Sequence, residues 1–200
     1  MAARDLISVL ALAAVATGCS ALSAQPDRTR YFVLTPVAAS DRPPPSRIET
    51  TVGVGPVRIP DSLDRYLVTR KANNEIAISD TDRWADPLRD ALGRVLRDNL
   101  ATLLGTERVV VFPWGSSTQP DVTVEIELLE FERSSGQTAE IKARWSIERG
   151  PGRVPVRTQE TSEREPIAGT DAEAAAAALS VAIGRLSREI AAAVRESAAT

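Results

Sequence analysis

The side chains that most often carry out catalysis are scarce in this sequence. Its 200 residues include no histidine and one cysteine, so the commonest general base and most thiol chemistry are missing. Ser116 and Ser117 do not lie in a G-x-S-x-G turn, and Gly53-Val54-Gly55-Pro56 lacks the third glycine of a dinucleotide-binding loop. The many carboxylates leave a paired-carboxylate site open, but they mostly alternate with apolar residues, which is typical of a solvated sheet face. We expect no enzyme, no metal site and no bound cofactor.

The one covalent reaction that the sequence predicts is acylation of Cys19. An early cation, Arg4, is followed by an apolar run from Leu6 to Ala16, and Thr17-Gly18 directly precedes the cysteine. This arrangement is typical of a secretory signal, and the run is shorter than the ~20 residues of a spanning helix. Small residues before cysteine resemble the bacterial lipobox, with Ala16 where leucine is usual. An ordinary signal peptide is the alternative, but a lone thiol in an exported protein would then lack a role.

We therefore predict a lipoprotein signal peptide over residues 1–18, and a diacylglyceryl group and an N-acyl chain on Cys19. Three acyl chains anchor a protein stably, because each buried methylene contributes roughly 0.8 kcal/mol and a single chain binds only marginally. In enteric bacteria a serine after the cysteine favours sorting to the outer membrane, so Ser20 predicts this location, on the periplasmic side, in a Gram-negative bacterium.

The remainder is predicted to comprise a lipidated tether, 19–30, and a single domain, 31–200. The formal net charge is -3, so we expect no nucleic-acid binding, which needs a clustered basic surface.

The hydrophobic pattern predicts an α+β fold, with two main helices packed on one face of an antiparallel-rich mixed sheet in a two-layer sandwich. Helical periodicity follows Asp86, the predicted N-cap, as far as Leu104, and returns between Asp171 and Glu196. A free coiled coil is the alternative for the second helix, but its apolar stripe covers only about two heptads. Alternating or β-branched runs predict strands over 31–35, 51–57, 66–70, 75–78, 108–112, 121–133, 138–149 and 154–163.

Several motifs are distributed along nearly the whole predicted domain. They are Tyr31-Phe32-Val33-Leu34, the segment from Val52 to Arg65 that contains Gly55-Pro56-Val57-Arg58-Ile59-Pro60, Asp82-Arg83-Trp84-Ala85-Asp86-Pro87-Leu88, and Phe112-Pro113-Trp114. Together they resemble the ABC-type transport auxiliary lipoproteins, the PqiC/YmbA-like family.

This resemblance implies a role in envelope lipid transport without catalytic residues. It implies as partners an MCE-domain protein, which forms hexameric rings or tubes across the periplasm, and the associated permease and ATPase. The chain would be an adaptor at the outer membrane, and homo-oligomer formation is left open. A periplasmic carrier that binds phospholipid between sheet and helices is one alternative, and an activator or assembly factor of another envelope machine is a second.

The candidate partner-binding residues are taken from these motifs: Arg58, Ile59, Pro60, Arg83, Trp84 and Trp114. Large apolar and arginine side chains in loops are typical of interfaces. For Trp84 a position in the core beneath the first helix is the favoured interpretation.

Overall fold

The structure, a computed structural model, describes residues 27–36, 49–73, 75–115, 118–135 and 137–198. The predicted signal peptide, Cys19, Ser20 and most of the tether lie outside these residues, as do Ser116 and Ser117. In the part of the chain that the structure describes, no helix is both long and apolar enough to cross a membrane.

Within the described residues, eight strands and two long helices form an α+β fold, which confirms the predicted class. The strands are β1 Arg30–Phe32, β2 Val52–Arg58, β3 Tyr66–Arg70, β4 Ile76–Trp84, β5 Val109–Val111, β6 Val122–Ser134, β7 Thr138–Arg149 and β8 Val154–Pro166. The helices are α1 Leu88–Leu104 and α2 Ala172–Ala198, and a 3-10 turn covers Asp61–Leu63.

Strand β6 organises the sheet because it pairs with three other strands. One of its edges continues through β7 to β8 as an antiparallel meander. Its other edge pairs in parallel with β2 near its start and with β3 near its end. The sheet then extends from β2 to β5, and from β3 through β4 to β1. The long ladders, β6–β7 and β7–β8, are thus antiparallel. The shorter pairings of β6 with β2 and β3, of β2 with β5 and of β4 with β1 are parallel.

Both helices pack on the same face of the sheet, the face towards which the alternating apolar residues of β6 and β7 point. The stripe of α2 is almost completely buried, and so are the alternating apolar residues of β6 and β7. An irregularity in the ladder between Leu128 and Glu130 returns Phe131 to the inward face, where the sequence pattern slips by one position. The core therefore lies between these strands and the two helices.

The start of α1 differs from the prediction. Strand β4 continues to Trp84, because β1 and β3 both pair with its last residues. The helix then begins at Leu88, with Pro87 rather than Asp86 at the N-cap position and without a hydrogen bond from the side chain of the N-cap residue. Asp64 takes the capping role from outside the helix: its carbonyl oxygen accepts a hydrogen bond from the backbone N–H of Leu88 at 2.7 Å.

Candidate docking site

Two clefts flank the first half of α1, and the sequence motifs converge on them. The β2–β5 cleft, about 420 Å³, is lined by residues 54–57, 111–113 and the helix positions Arg89, Asp90, Gly93 and Arg94. The β1 cleft, about 260 Å³, lies on the other flank and is lined by residues 32–34, Pro36, Trp84, Asp86, Ala91, Arg94, Val95 and Asp98. The helix therefore presents side chains to both clefts, and Arg94 borders each of them.

The β2–β5 cleft has an apolar floor and an apolar rim. Val54, Val57 and Val111 line its floor, while Phe112 at the rim leaves 46% of its surface exposed. Pro113 beside it is also exposed. A large exposed aromatic next to a concave apolar surface is typical of a protein interface, in which an aromatic residue fills a pocket of the partner.

Two arginines, Arg89 and Arg94, and one aspartate, Asp90, add charged groups to this rim. The guanidinium of Arg94 is paired with the carboxylate of Asp86. Arg89 lies 3.9 Å from Asp61, whose side chain is completely exposed. Such a long contact in solvent contributes little energy, so the Arg89 guanidinium can exchange Asp61 for an anionic group of a partner at small cost.

The loop of residues 112–114 lies close against β2 because two residues of that strand, Gly53 and Gly55, have no side chain. A Cβ atom at Gly53 would lie 2.6 Å from Cγ of Pro120 and 3.1 Å from the ring of Trp114. Gly55 has a φ of +112°, and its Cβ would lie 2.8 Å from Cβ of Phe112. Side chains at both positions would therefore displace the loop that carries the exposed aromatic residue.

The structure separates the predicted partner-binding residues rather than joining them in one site. Side chains alternate along β2, so Val57 lines the cleft while Arg58 points to the solvated face, 3.4 Å from Glu125. Ile59 packs against the core and Pro60 is exposed. Trp114 covers Gly53 on the side of β2 opposite to the buried Val54, in edge-to-face contact with Phe112, with 5.2 Å between ring centroids.

Trp84 and its neighbour Arg83 lie on opposite faces of β4. The indole is 5% exposed and its ring centroid is 5.7 Å from that of Phe131, so it packs in the core and only a small part of it borders the β1 cleft. The Arg83 guanidinium instead stacks over the ring of Tyr66 at 5.3 Å. Arg83 also stands directly opposite Tyr31 of β1.

Sequence reasoning did not identify the cleft residues Arg89 and Arg94, because they look like the ordinary solvated side of an amphipathic helix. Phe112 was part of a recognised motif but was not singled out. The feature that could have identified Phe112 as a candidate is its position directly before Pro113, where a strand ends and the chain enters a loop.

The apolar residues of β6 and β7 that could have lined a lipid-binding groove are instead packed in the core. The inward residues of β6 and β7 between Val122 and Ile147 are at most 3% exposed. Of the two clefts beside α1, the β2–β5 cleft lies in the lower part of the ~300–1,000 Å³ range of small-molecule sites, and the β1 cleft lies below this range. The packing of these β6 and β7 residues therefore does not favour the carrier hypothesis.

Charges on the solvated face are paired with one another. The pKa of the Glu160 carboxyl is lowered by a hydrogen bond from Lys142 and by Arg144. On the face towards α2, burial raises the pKa of Glu163.

Within the described residues, no three acidic or cysteine side chains are grouped so that they could hold a metal ion.

Comparison with solved structures shows the same fold in other proteins. A protein from Xanthomonas campestris of family DUF330 superposes with a TM-score of 0.72 at 17% identity, over 86% of this chain and 100% of that one. An uncharacterised protein gives 0.68 at 19% identity, over 83% and 98%. A hypothetical protein from Chlamydia trachomatis gives 0.50 at 11% identity, over 76% and 99%.

No curated protein matches the chain. The model of one protein family does match, over residues 32–191, and its description is "ABC-type transport auxiliary lipoprotein component". The match includes the motifs from Phe32 to Trp114, most of the sheet and most of α2, which confirms the resemblance inferred from the motifs. The chain belongs to the family of ABC-type transport auxiliary lipoproteins.

Proposed function

We propose that this protein is a non-enzymatic adaptor, anchored in the outer membrane by lipidated Cys19, in an MCE-type ABC system that transports lipids across the envelope. The observation that carries this proposal is the family match over residues 32–191. The lipobox-like sequence before Cys19 and the following Ser20 support the anchor and its location.

The geometry of the β2–β5 cleft supports docking of a protein partner. Its exposed Phe112 supplies apolar area, and Arg89 supplies a charge that is only weakly engaged within the chain. Aromatic and arginine residues dominate the binding energy of many interfaces. We assign the MCE-domain protein to this cleft, and expect the permease and ATPase to be associated through it.

The proposal is tested by affinity purification of the tagged, full-length protein from solubilised membranes. We expect an MCE-domain protein to co-purify with the native chain. The double substitution Phe112→Ser with Arg89→Glu should reduce its recovery about tenfold or more, since tenfold corresponds to only about 1.4 kcal/mol and interface anchors often contribute more.

A matched pair of exposed residues on β8 provides the control. Val156 is 48% exposed, close to the 46% of Phe112, and Arg164 is an exposed arginine on the same strand. Val156→Ser with Arg164→Glu should leave recovery of the MCE-domain protein unchanged. If no MCE-domain protein is recovered with the native chain, the adaptor function is wrong. If both double variants lose it equally, the assignment to the cleft is wrong.

A further inference from the structure

The edge of the sheet at β1 is the part of the described domain closest in sequence to Cys19. Only ten residues, 20–29, separate the cysteine from Arg30, where β1 begins. A segment of ten residues reaches at most ~36 Å. A domain of this size has a radius of gyration of ~16 Å. An anchor at Cys19 would therefore hold Arg30 within ~36 Å of the bilayer, about one domain diameter.

This edge presents large side chains to solvent. Along β1 and the residues after it, Phe32 and Leu34 point to the core, whereas Tyr31 and Val33 are 62% and 66% exposed. Tyr31, Arg83 and Tyr66 form a row across β1, β4 and β3, on the face opposite to the buried Trp84. We call Tyr31, Val33, Tyr66 and Arg83 the β1 patch.

The chemistry of the β1 patch fits the boundary between lipid headgroups and acyl chains. Tyrosine has an apolar ring and a polar tip, and arginine can bury its methylene groups while its charge stays in water. Tyrosine is enriched at this depth in membrane proteins. The charges nearby, Asp27, Arg28, Arg30 and Asp82 with Arg83, nearly cancel, so the contact depends more on the aromatic and apolar side chains than on charge.

We infer that the β1 patch rests on the phospholipid headgroup layer of the membrane that holds Cys19; this inference depends on the proposed lipid anchor. Tyr31, Tyr66 and Arg83 lie on the solvated face of the sheet, and Val33 at its edge also borders the β1 cleft. The β2–β5 cleft lies on the face covered by α1. A domain that rests on the patch therefore turns the cleft away from the bilayer, towards a partner in the periplasm.

The test uses the full-length lipidated protein in vesicles of phosphatidylethanolamine and phosphatidylglycerol. Because the chain has no cysteine besides the acylated Cys19, a Val33→Cys variant can be labelled at that position alone with the environment-sensitive fluorophore NBD. Val154→Cys is the matched control. Val154 is a valine of similar exposure, 61%, on the opposite edge strand β8. The five strand spacings from β1 to β8 amount to about 24 Å.

We expect the label at Val33→Cys to emit at shorter wavelength and to lose emission when vesicles contain lipid with a nitroxide near the headgroup. The label at Val154→Cys should change little. Adding Tyr31→Ser to Val33→Cys should reduce the quenching, because the aromatic anchor of the patch is removed.

Flotation of the vesicles separates the two ways in which the experiment can fail. A native chain that does not float with vesicles overturns the lipid anchor and, with it, this inference. A chain that floats but shows equal quenching at both positions, or none at position 33, overturns the membrane contact alone. A wavelength shift at position 33 without lipid quenching, which disappears when each vesicle holds one protein copy, would assign the patch to a second copy instead.

Discussion

Asp64 and Arg89 are joined by a hydrogen bond that caps α1 from a distant part of the chain. The carboxylate Oδ1 of Asp64 accepts the backbone N–H of Arg89 at 3.2 Å, next to the bond between the Asp64 carbonyl oxygen and Leu88. One residue thus satisfies two of the N–H groups that every helix leaves free at its start. It also fixes the helix beside the turn after β2, and so shapes the β2–β5 cleft.

We therefore predict that Asp64→Ala lowers the free energy of unfolding by about 0.5–2 kcal/mol, the usual cost of losing a side-chain cap. Urea denaturation followed by circular dichroism measures this change. Asp64→Asn keeps an acceptor oxygen and should recover part of the loss. Equal destabilisation by both substitutions would show that the capping bond is not the cause.

A second prediction concerns the buried bond between the helices. Nδ2 of Asn99 donates to Oγ of Ser187 at 2.9 Å, and both residues are completely buried. Truncation of either residue removes this hydrogen bond from the core, so Asn99→Ala should cost about 1–3 kcal/mol. In a double-mutant cycle with Ser187→Ala, the two losses should not add. Additive losses would contradict direct coupling between α1 and α2 at this point.

The third prediction compares two arginines that pair with glutamates. Glu132 has a side chain 3% exposed and accepts two hydrogen bonds from Arg70. This pairing also raises the pKa of Arg70. Arg70→Met leaves a buried carboxylate unpaired and should lower the free energy of unfolding by about 1–3 kcal/mol or more. Arg144→Met removes pairs in an exposed network and should change it by about 0.5 kcal/mol or less. Chemical denaturation of both variants distinguishes them.

The fourth prediction tests how the loop of residues 112–114 is held. Gly53→Ala should destabilise the protein by about 1–3 kcal/mol, the usual cost of overpacking, because its Cβ would press on Pro120 and Trp114. Gly115→Ala is the control in the same loop, since its Cβ would meet no atom within 4 Å. Thermal denaturation gives the stability, and tryptophan fluorescence should report a shifted Trp114 in Gly53→Ala only.

The fifth prediction is a dependence on pH with opposite signs at two glutamates of β8. Burial raises the folded-state pKa of Glu163, with Glu189 and Glu165 adding to this and Arg185 opposing it. The stabilisation by the protonated form is lost as pH rises through that pKa. Glu163→Gln should therefore be more stable than the native chain at pH 7 and nearly equal to it at pH 3.

Glu160 provides the comparison. Its pKa is lowered by Lys142 and Arg144, so its ionised form stabilises the fold above the unfolded-state pKa, and this contribution is lost as pH falls. Glu160→Gln should be less stable than the native chain at pH 7, with the difference vanishing in acid. Urea denaturation at both pH values measures each variant, and effects of the same sign would contradict the assigned causes.

Local patterns in the sequence were sufficient for the class of fold and for most elements. The alternation in β6 and β7 and the apolar stripe of α2 depend on which face of an element is buried, and that face is encoded by neighbouring residues. The irregularity at Leu129-Glu130 also has a local signal, because a bulge shifts the alternation of apolar residues by one position. The family could also be inferred, since its motifs are contiguous segments of chain.

The arrangement around α1 was decided only by the tertiary structure. That β4 continues to Trp84 depends on pairing with β1 and β3, and the cap of α1 comes from Asp64, 25 positions before Arg89. Arg58 and Val57 are neighbours in sequence but face opposite sides of β2, so one motif contributes to two surfaces. Such contacts join residues far apart in the chain, and the energy that selects them arises when whole faces of the sheet and helices are buried together. The sequence by itself therefore determined the elements and the predicted anchor, while packing decided which side chains remain exposed for a partner or a membrane.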